Sequence, residues 1–175
     1  GGQDEVIFEG RSFALNAKAE VVARAPAFQE CLQTISVQNN QGPEGLQISG
    51  TRVSASNSWE EDLWHALVLG IRDYLGKNGF PGAILGLSGG IDSALVLALA
   101  VDALGADNIH AVMMPSPYTA DISWIDSREM VKRLGVRYDE IAIAPLFEGF
   151  KLALADQFKG LAEDTTEENI QARVR

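Results

Sequence analysis

Cysteine is almost missing from this 175-residue chain: Cys31 stands alone, so no disulfide framework can form. A catalytic thiol would need a histidine and an acid brought to it, and the nearest histidine is His65. Cys31 is therefore expected to be a small hydrophobe in or near a core. Positive charge is scarce as well. Lys and Arg number 14 against 24 Asp and Glu, a formal net charge of −10. No basic stripe of the kind nucleic acid requires is visible, so no nucleic-acid partner is expected. No apolar run approaches the ~18 residues of a membrane-spanning helix, so no membrane partner is expected either. Gly1-Gly2-Gln3-Asp4 has neither the basic nor the apolar stretch of a secretory leader, which makes the cytoplasm the expected compartment. Two further absences are an initial methionine and a C-cap signal after the last helical pattern, which runs to Arg175. Together they lead to the expectation of an internal segment of a longer protein.

What is present suits a globular chain: 46% hydrophobic and 22% charged residues, enough to bury a core without disulfides or metals. Two textures meet in it. Residues 1–37 read as short strands with turns: Val6-Ile7-Phe8, Ser12 to Leu15, Glu20 to Arg24 and Thr34 to Val37 carry β-branched and aromatic residues between polar turns. Residues 38–57 are rich in Asn, Gln, Gly and Ser and poor in apolar side chains, so a linker or draped loop is expected there. From Ser58 the texture changes. Ser58-x-x-Glu61 has the form of a capping box, and Leu63, Trp64, Leu67, Val68, Ile71, Tyr74 and Leu75 fall on one helical face. Trp59 and Trp64 read as packing, and His65 as helix surface.

The remainder alternates strand and helix. Strands are expected at Ala83 to Leu87, Ile109 to Met114 and Arg137 to Ile143. Helices are expected at Asp92 to Leu104, Ser123 to Leu134, and near Leu146–Phe158 and Thr166–Arg175. That alternation implies parallel βαβ units and an α/β, doubly wound sheet. Ligands in such sheets sit beyond the carboxyl ends of the strands, which is where the glycines are.

The first of these strands runs into Gly86-Leu87-Ser88-Gly89-Gly90-Ile91-Asp92-Ser93. Two glycines permit positive φ and bare backbone N–H groups, the helix that follows offers its unpaired N–H groups, and Ser88 and Ser93 add hydroxyls. This is an anion cradle. Asp92 would repel a phosphate unless a cation lay between, which makes it a candidate Mg²⁺ ligand; the plainer reading is a carboxylate complementing the helix dipole. A Walker A loop is excluded because no lysine occurs between Lys77 and Lys132. The dinucleotide fingerprint Gly-x-Gly-x-x-Gly does not fit the glycine spacing. Gly86 to Gly90 does match the esterase elbow Gly-x-Ser-x-Gly, which would make Ser88 a nucleophile. That reading needs a downstream histidine, and His110, at the start of a strand, is the one available.

Ser88-Gly89-Gly90-Ile91-Asp92-Ser93-Ala94 resembles the PP-loop signature of the N-type ATP pyrophosphatases, among them the NAD, GMP and asparagine synthetases. Met114 to Thr119, Arg72-Asp73-Tyr74 followed by Gly79-Phe80, and Glu168-Asn169-Ile170-Gln171-Ala172-Arg173 resemble the glutamine-dependent NAD synthetases in particular. The front, Gly1 to Glu5 with Phe8-x-Gly10-x-Ser12, is similar to the end of a nitrilase-type glutaminase domain.

The resemblance implies an adenine nucleotide α-hydrolase-like domain over 58–175, preceded by a glutaminase end over 1–37 and a linker over 38–57. It implies a ligase that adenylates deamido-NAD with ATP, releases pyrophosphate, and lets ammonia from glutamine displace AMP. By the same resemblance Gly86, Leu87, Ser88, Gly89, Gly90, Ile91, Asp92 and Ser93 hold ATP, with Asp92 acting through Mg²⁺. Asn169 and Arg173 meet deamido-NAD, although the same pair would otherwise read as a solvated helix face. Ser116, Tyr118 and Thr119 follow the second strand and are expected to line the nucleotide site. No catalytic residue of glutamine hydrolysis is expected in this chain, because the family's nucleophile precedes Gly1 and Cys31 does not match its setting. The segment alone is expected to be inactive, and the parent protein to be a homo-oligomer. Another PP-loop ligase, an esterase and a non-catalytic nucleotide-binding module are the competing readings.

Overall fold

The computed structural model describes residues 1–3, 6–39, 45–50, 55–116, 119–160 and 165–174. The chain divides into two compact units, Gly1–Phe80 and Pro81–Arg175.

The first unit is built from antiparallel hairpins and one long helix. Strand β1 (Gly2–Gln3) pairs with β2 (Val6–Ile7), β3 (Phe13–Leu15) with β4 (Val21–Arg24), and β5 (Ile35–Asn39) with β6 (Leu46–Gly50). Strand β6 lies inside the segment expected to be a draped loop. It forms because the alternation Leu46-Gln47-Ile48-Ser49 finds a partner in regular register, Ile35↔Gly50 through Asn39↔Leu46. Its end also packs against β4: a Cβ on Gly50 would meet Val22 O at 2.5 Å and Ala23 Cβ at 2.6 Å, so only glycine lets the two backbones approach.

Helix α1 (Trp59–Lys77) starts as expected, with Ser58 Oγ accepting from Glu61 N at 3.2 Å. The amino-terminal segment fastens along it. Arg11 Nη2 donates to both oxygens of Asp62 at 2.6 and 2.5 Å, and Asn57 Nδ2 adds a third bond to Asp62 at 2.9 Å. Gly2 N donates to Asp73, and that backbone N–H, more than any other neighbour, holds the Asp73 carboxyl below its ordinary pKa. Two burial expectations also fail in this unit. Cys31 is exposed, and Trp59 is 72% exposed, so neither packs in a core. Of the apolar row on α1, Val68 is buried, whereas Leu63, Leu67 and Tyr74 remain exposed.

The second unit is α/β. Strands β7 (Ala83–Gly86), β8 (Ile109–Met113) and β9 (Arg137–Glu140) form a parallel sheet in that order. Its crossovers run through α2 (Ile91–Leu104) and α3 (Asp121–Leu134), and are followed by α4 (Ala144–Ala153) and α5 (Thr165–Val174). Gly105 and Gly135 cap α2 and α3, where the sequence placed their stops. Leu87, Leu97, Ala100, Ile109, Ala111, Val131 and Val136 make one buried cluster, so α2 and α3 pack on the same face of the sheet. Right-handed crossovers progressing in one direction require that arrangement. Full burial of each larger side chain there contributes roughly 1.5–3 kcal/mol, which anchors the strand ends on which the 88–93 loop sits.

Candidate functional site

The loop begins where β7 ends. Leu87, 2% exposed, still donates to Val112 O at 2.9 Å, so the first loop residue is fixed by the sheet. The chain then turns sharply at Gly89, whose φ is +80°, and enters α2 with Gly90 at the N-cap. No side-chain hydrogen bond caps that helix end, and its first N–H groups have no intrahelical partner.

Ser88 and Ser93 close the turn. Ser88 N donates to Ser93 Oγ at 3.2 Å, the two hydroxyls lie 3.0 Å apart, Gly90 N donates to Ser88 Oγ at 3.2 Å, and Ser93 Oγ donates to Gly90 O at 3.0 Å. Both serines shape the loop from within, a role the sequence did not separate from ligand contact. The loop is also braced from outside by α3. A Cβ on Gly89 would lie 2.5 Å from Ser123 Cα and 2.6 Å from Ser123 O. Ser123 was not singled out in the sequence, because nothing local marks a residue whose backbone backs a loop 34 positions away.

A cavity of about 180 Å³ opens beside the loop, lined by Gly86, Leu87, Ser88, Met113, Met114 and Thr119. Of the residues expected after β8 at the nucleotide site, Thr119 lines this cavity, and Thr119 Oγ1 accepts from Ser116 N at 2.9 Å. Tyr118 lies outside the described residues.

Asp92 stands exposed in the first turn of α2. Among the described residues no group of three His, Cys, Asp or Glu could hold a metal by themselves. A single exposed carboxylate beside this loop would suit Mg²⁺, which takes one or two carboxylates and completes its octahedron with other oxygens. Asn169 and Arg173 are exposed on α5, and their described hydrogen bonds stay within that helix. Asn169 Nδ2 donates to Thr165 O at 2.9 Å and Arg173 Nη1 to Asn169 O at 3.5 Å. No described hydrogen bond joins either of them to the loop.

The esterase geometry is not assembled. His110 pairs with Ile84, four residues before Ser88, which is about 13 Å along a strand at roughly 3.3 Å per residue. His110 Nε2 instead lies 2.6 Å from Asp139 Oδ2, and the Ser88 hydroxyl is engaged by Gly90 and Ser93. Among the described residues no helix is long and apolar enough to cross a membrane.

Comparison with known proteins adds an independent line. The NAD synthase family model matches residues 63–175. A glutamine-dependent NAD(+) synthetase of Synechocystis sp. is 43% identical over 176 residues, covering 100% of this chain and 31% of that protein. The structure of glutamine-dependent NAD+ synthetase from Acinetobacter baumannii, in complex with ADP, is similar at a TM-score of 0.89 and 41% identity, over 100% of this chain and 32% of the other. The NH3-dependent NAD synthetase from Campylobacter jejuni, in complex with the nitrate ion, is similar at a TM-score of 0.57 and 27% identity, over 68% of this chain and 49% of the other. The chain therefore spans about a third of the length of the glutamine-dependent relatives it matches. With the serine–glycine loop at the carboxyl end of the first strand of a parallel sheet, and a family match running from within α1 to Arg175, the chain belongs to the NAD synthase family.

Proposed function

We propose that this chain forms part of a ligase that uses ATP, cleaved to AMP and pyrophosphate, to convert the carboxylate of deamido-NAD into the amide of NAD, with ammonia drawn from glutamine. The observation that carries this reading is the loop itself: a bare turn at Gly89-Gly90, closed by two serines, at the uncapped start of α2. The family match supports reading that cradle as an ATP site in preference to a generic anion site.

In the first step a carboxylate oxygen attacks the α-phosphorus and the P–O bond to pyrophosphate breaks. In the second, ammonia adds to the acyl carbon, AMP departs with its bonding electrons, and the nitrogen loses a proton. Catalysis of this kind is mostly alignment and charge neutralisation. Gly86 to Ser93 would bind the phosphates through backbone N–H groups, and Asp92 would hold Mg²⁺, which supplies positive charge to the phosphate oxygens. Asn169 and Arg173 would contact deamido-NAD once turned from their own helix toward the acceptor; a guanidinium suits a phosphate or carboxylate.

We assign residues 1–37 to the end of a nitrilase-type glutaminase module and 58–175 to the amino-terminal part of the synthetase, with β6 in the stretch between. The parent is then a cytoplasmic homo-oligomer. We assign Cys31 no part in glutamine hydrolysis; among the described residues, the groove it lines with Arg11, Gln29 and Gln33 contains no Glu, Lys or His.

Isothermal titration of the purified chain tests the ATP site. It should take up Mg-ATP, and Ser93→Ala should weaken the uptake by removing the bond that closes the turn. A chain that binds no Mg-ATP refutes the reading. Formation of NAD from glutamine, ATP and deamido-NAD by these 175 residues alone would refute the view that further walls complete the site.

A further inference from the structure

Four side chains outside the loop form a row that ends at the floor of its cavity. Arg128 on α3 makes a bidentate pair with Glu140, the last residue of β9: Nε to Oε1 at 2.7 Å and Nη2 to Oε2 at 2.9 Å. The guanidinium lies 5.0 Å from the Trp124 ring centroid, so its plane is held from the other side. On β9, Tyr138 points to the same face of the sheet as Glu140, and its hydroxyl donates to Met113 Sδ at 3.4 Å. Met113 ends β8, is 2% exposed, and lines the cavity with Gly86, Leu87 and Ser88. Its backbone is fixed as well, since Ile141 N donates to Met113 O at 2.8 Å.

The row contains a competition. A phenol carries one proton, and Tyr138 has two acceptors in reach, the Glu140 carboxylate and the Met113 thioether. A free carboxylate is much the stronger acceptor. Arg128 weakens that acceptor without closing it: it takes one lone pair of each Glu140 oxygen, and it lowers the pKa of that carboxyl more than Tyr138 does.

We propose that Arg128 and Tyr138 are positioning residues for the nucleotide site: Arg128 anchors Glu140, the Tyr138 hydroxyl is held between that carboxylate and Met113 Sδ, and the row fixes Met113 as the cavity floor. The proposal rests on the nucleotide reading of the loop. Because α3 also abuts Gly89 through Ser123, this one helix then sets both the back of the loop and the floor beside it.

The chain has three methionines, Met113, Met114 and Met130, so a methyl-¹³C methionine NMR spectrum of the intact chain resolves the floor directly. Arg128→Gln touches neither Met113 nor the loop. It should move the Met113 methyl resonance toward its rotamer-averaged position, as Tyr138→Phe does, and weaken Mg-ATP binding roughly two- to tenfold, the worth of one hydrogen bond. Arg128→Lys, which cannot grip both oxygens, should recover part of the loss. Met130, two residues along α3, reports whether the helix itself was disturbed. A Met113 resonance unchanged in Arg128→Gln, or one that moves without any change in Mg-ATP affinity, overturns the proposal. If the unaltered chain takes up no Mg-ATP, the function above fails first, and the row is judged on the ligand-free Met113 resonance alone.

Discussion

Replacing Gly89 by alanine tests the architecture of the loop more severely than any change to its polar groups. Two costs can be read from the structure. The residue sits at φ +80°, where an L side chain costs about 1–2 kcal/mol. The added methyl would also lie 2.5 Å from Ser123 Cα, 2.6 Å from Ser123 O and 2.8 Å from Ser123 Cβ, against the roughly 3.5–4.0 Å of an ordinary carbon contact. These are the atoms of a helix's first turn rather than the end of a flexible side chain, so either α3 or the loop must shift. Overpacking of this kind costs about 1–3 kcal/mol, giving a sum of about 2–5 kcal/mol.

Gly90→Ala is the matched control: its φ is −88° and its nearest neighbour would be Ser88 Oγ at 3.4 Å. It should cost about 1 kcal/mol or less, the difference between glycine and alanine at an N-cap. Urea unfolding followed by amide exchange in β8 reads the second unit separately from the first, and titration with Mg-ATP reads the site. Gly89→Ala should be the less stable variant and lose most Mg-ATP binding. Equal stability of the two variants, within about 0.5 kcal/mol, would refute the claim that α3 backs the loop.

Three further outcomes are expected. Asp92→Asn should weaken Mg-ATP binding by on the order of tenfold and flatten its dependence on Mg²⁺ concentration, since one charged ligand is lost; titration at several Mg²⁺ concentrations decides, and an unchanged affinity would remove Asp92 from the metal. Burial, ahead of Glu140, raises the Tyr138 pKa from 10.0 to about 12. The stability Tyr138 lends is therefore complete below the ordinary value and lost as pH rises toward the raised one. In absorbance titration one of the chain's three tyrosines should ionise last, and Tyr138→Phe should delete that step. Arg11→Ala should destabilise the first unit by about 1–2 kcal/mol, a charge-assisted contact from one nitrogen discounted for partial exposure, and Arg11→Lys, which keeps the charge but loses the Nη1 contact to Glu9, should restore part of it. Urea unfolding of the Arg11 and Asp62 single and double variants measures the coupling.

The parts of this fold that were legible in the sequence are those specified locally. Ile109 to Met113 reads as a buried parallel strand because both of its faces are covered, and the capped start of α1 and the glycine stops of α2 and α3 are written within a few residues of where they act. Strand β6 is hidden in the sequence because its polar composition says loop, while its partner β5 and the close approach of Gly50 to β4 say strand. Cys31 and Trp59 are exposed against expectation for a related reason: hydrophobicity states a preference for burial, and only the packing of the other elements offers or withholds it.

At the site the division is the same. Sequence alone determined the loop, its two glycines, its serines and the carboxylate at the head of α2, because an anion cradle between a strand and a helix is a local device. Tertiary structure decided that Ser123 backs Gly89, that Met113 floors the cavity, and that Arg128, Glu140 and Tyr138 stand behind it. Residues far apart in the chain meet there through the register of a parallel sheet, and that register is fixed by buried contacts no local pattern records.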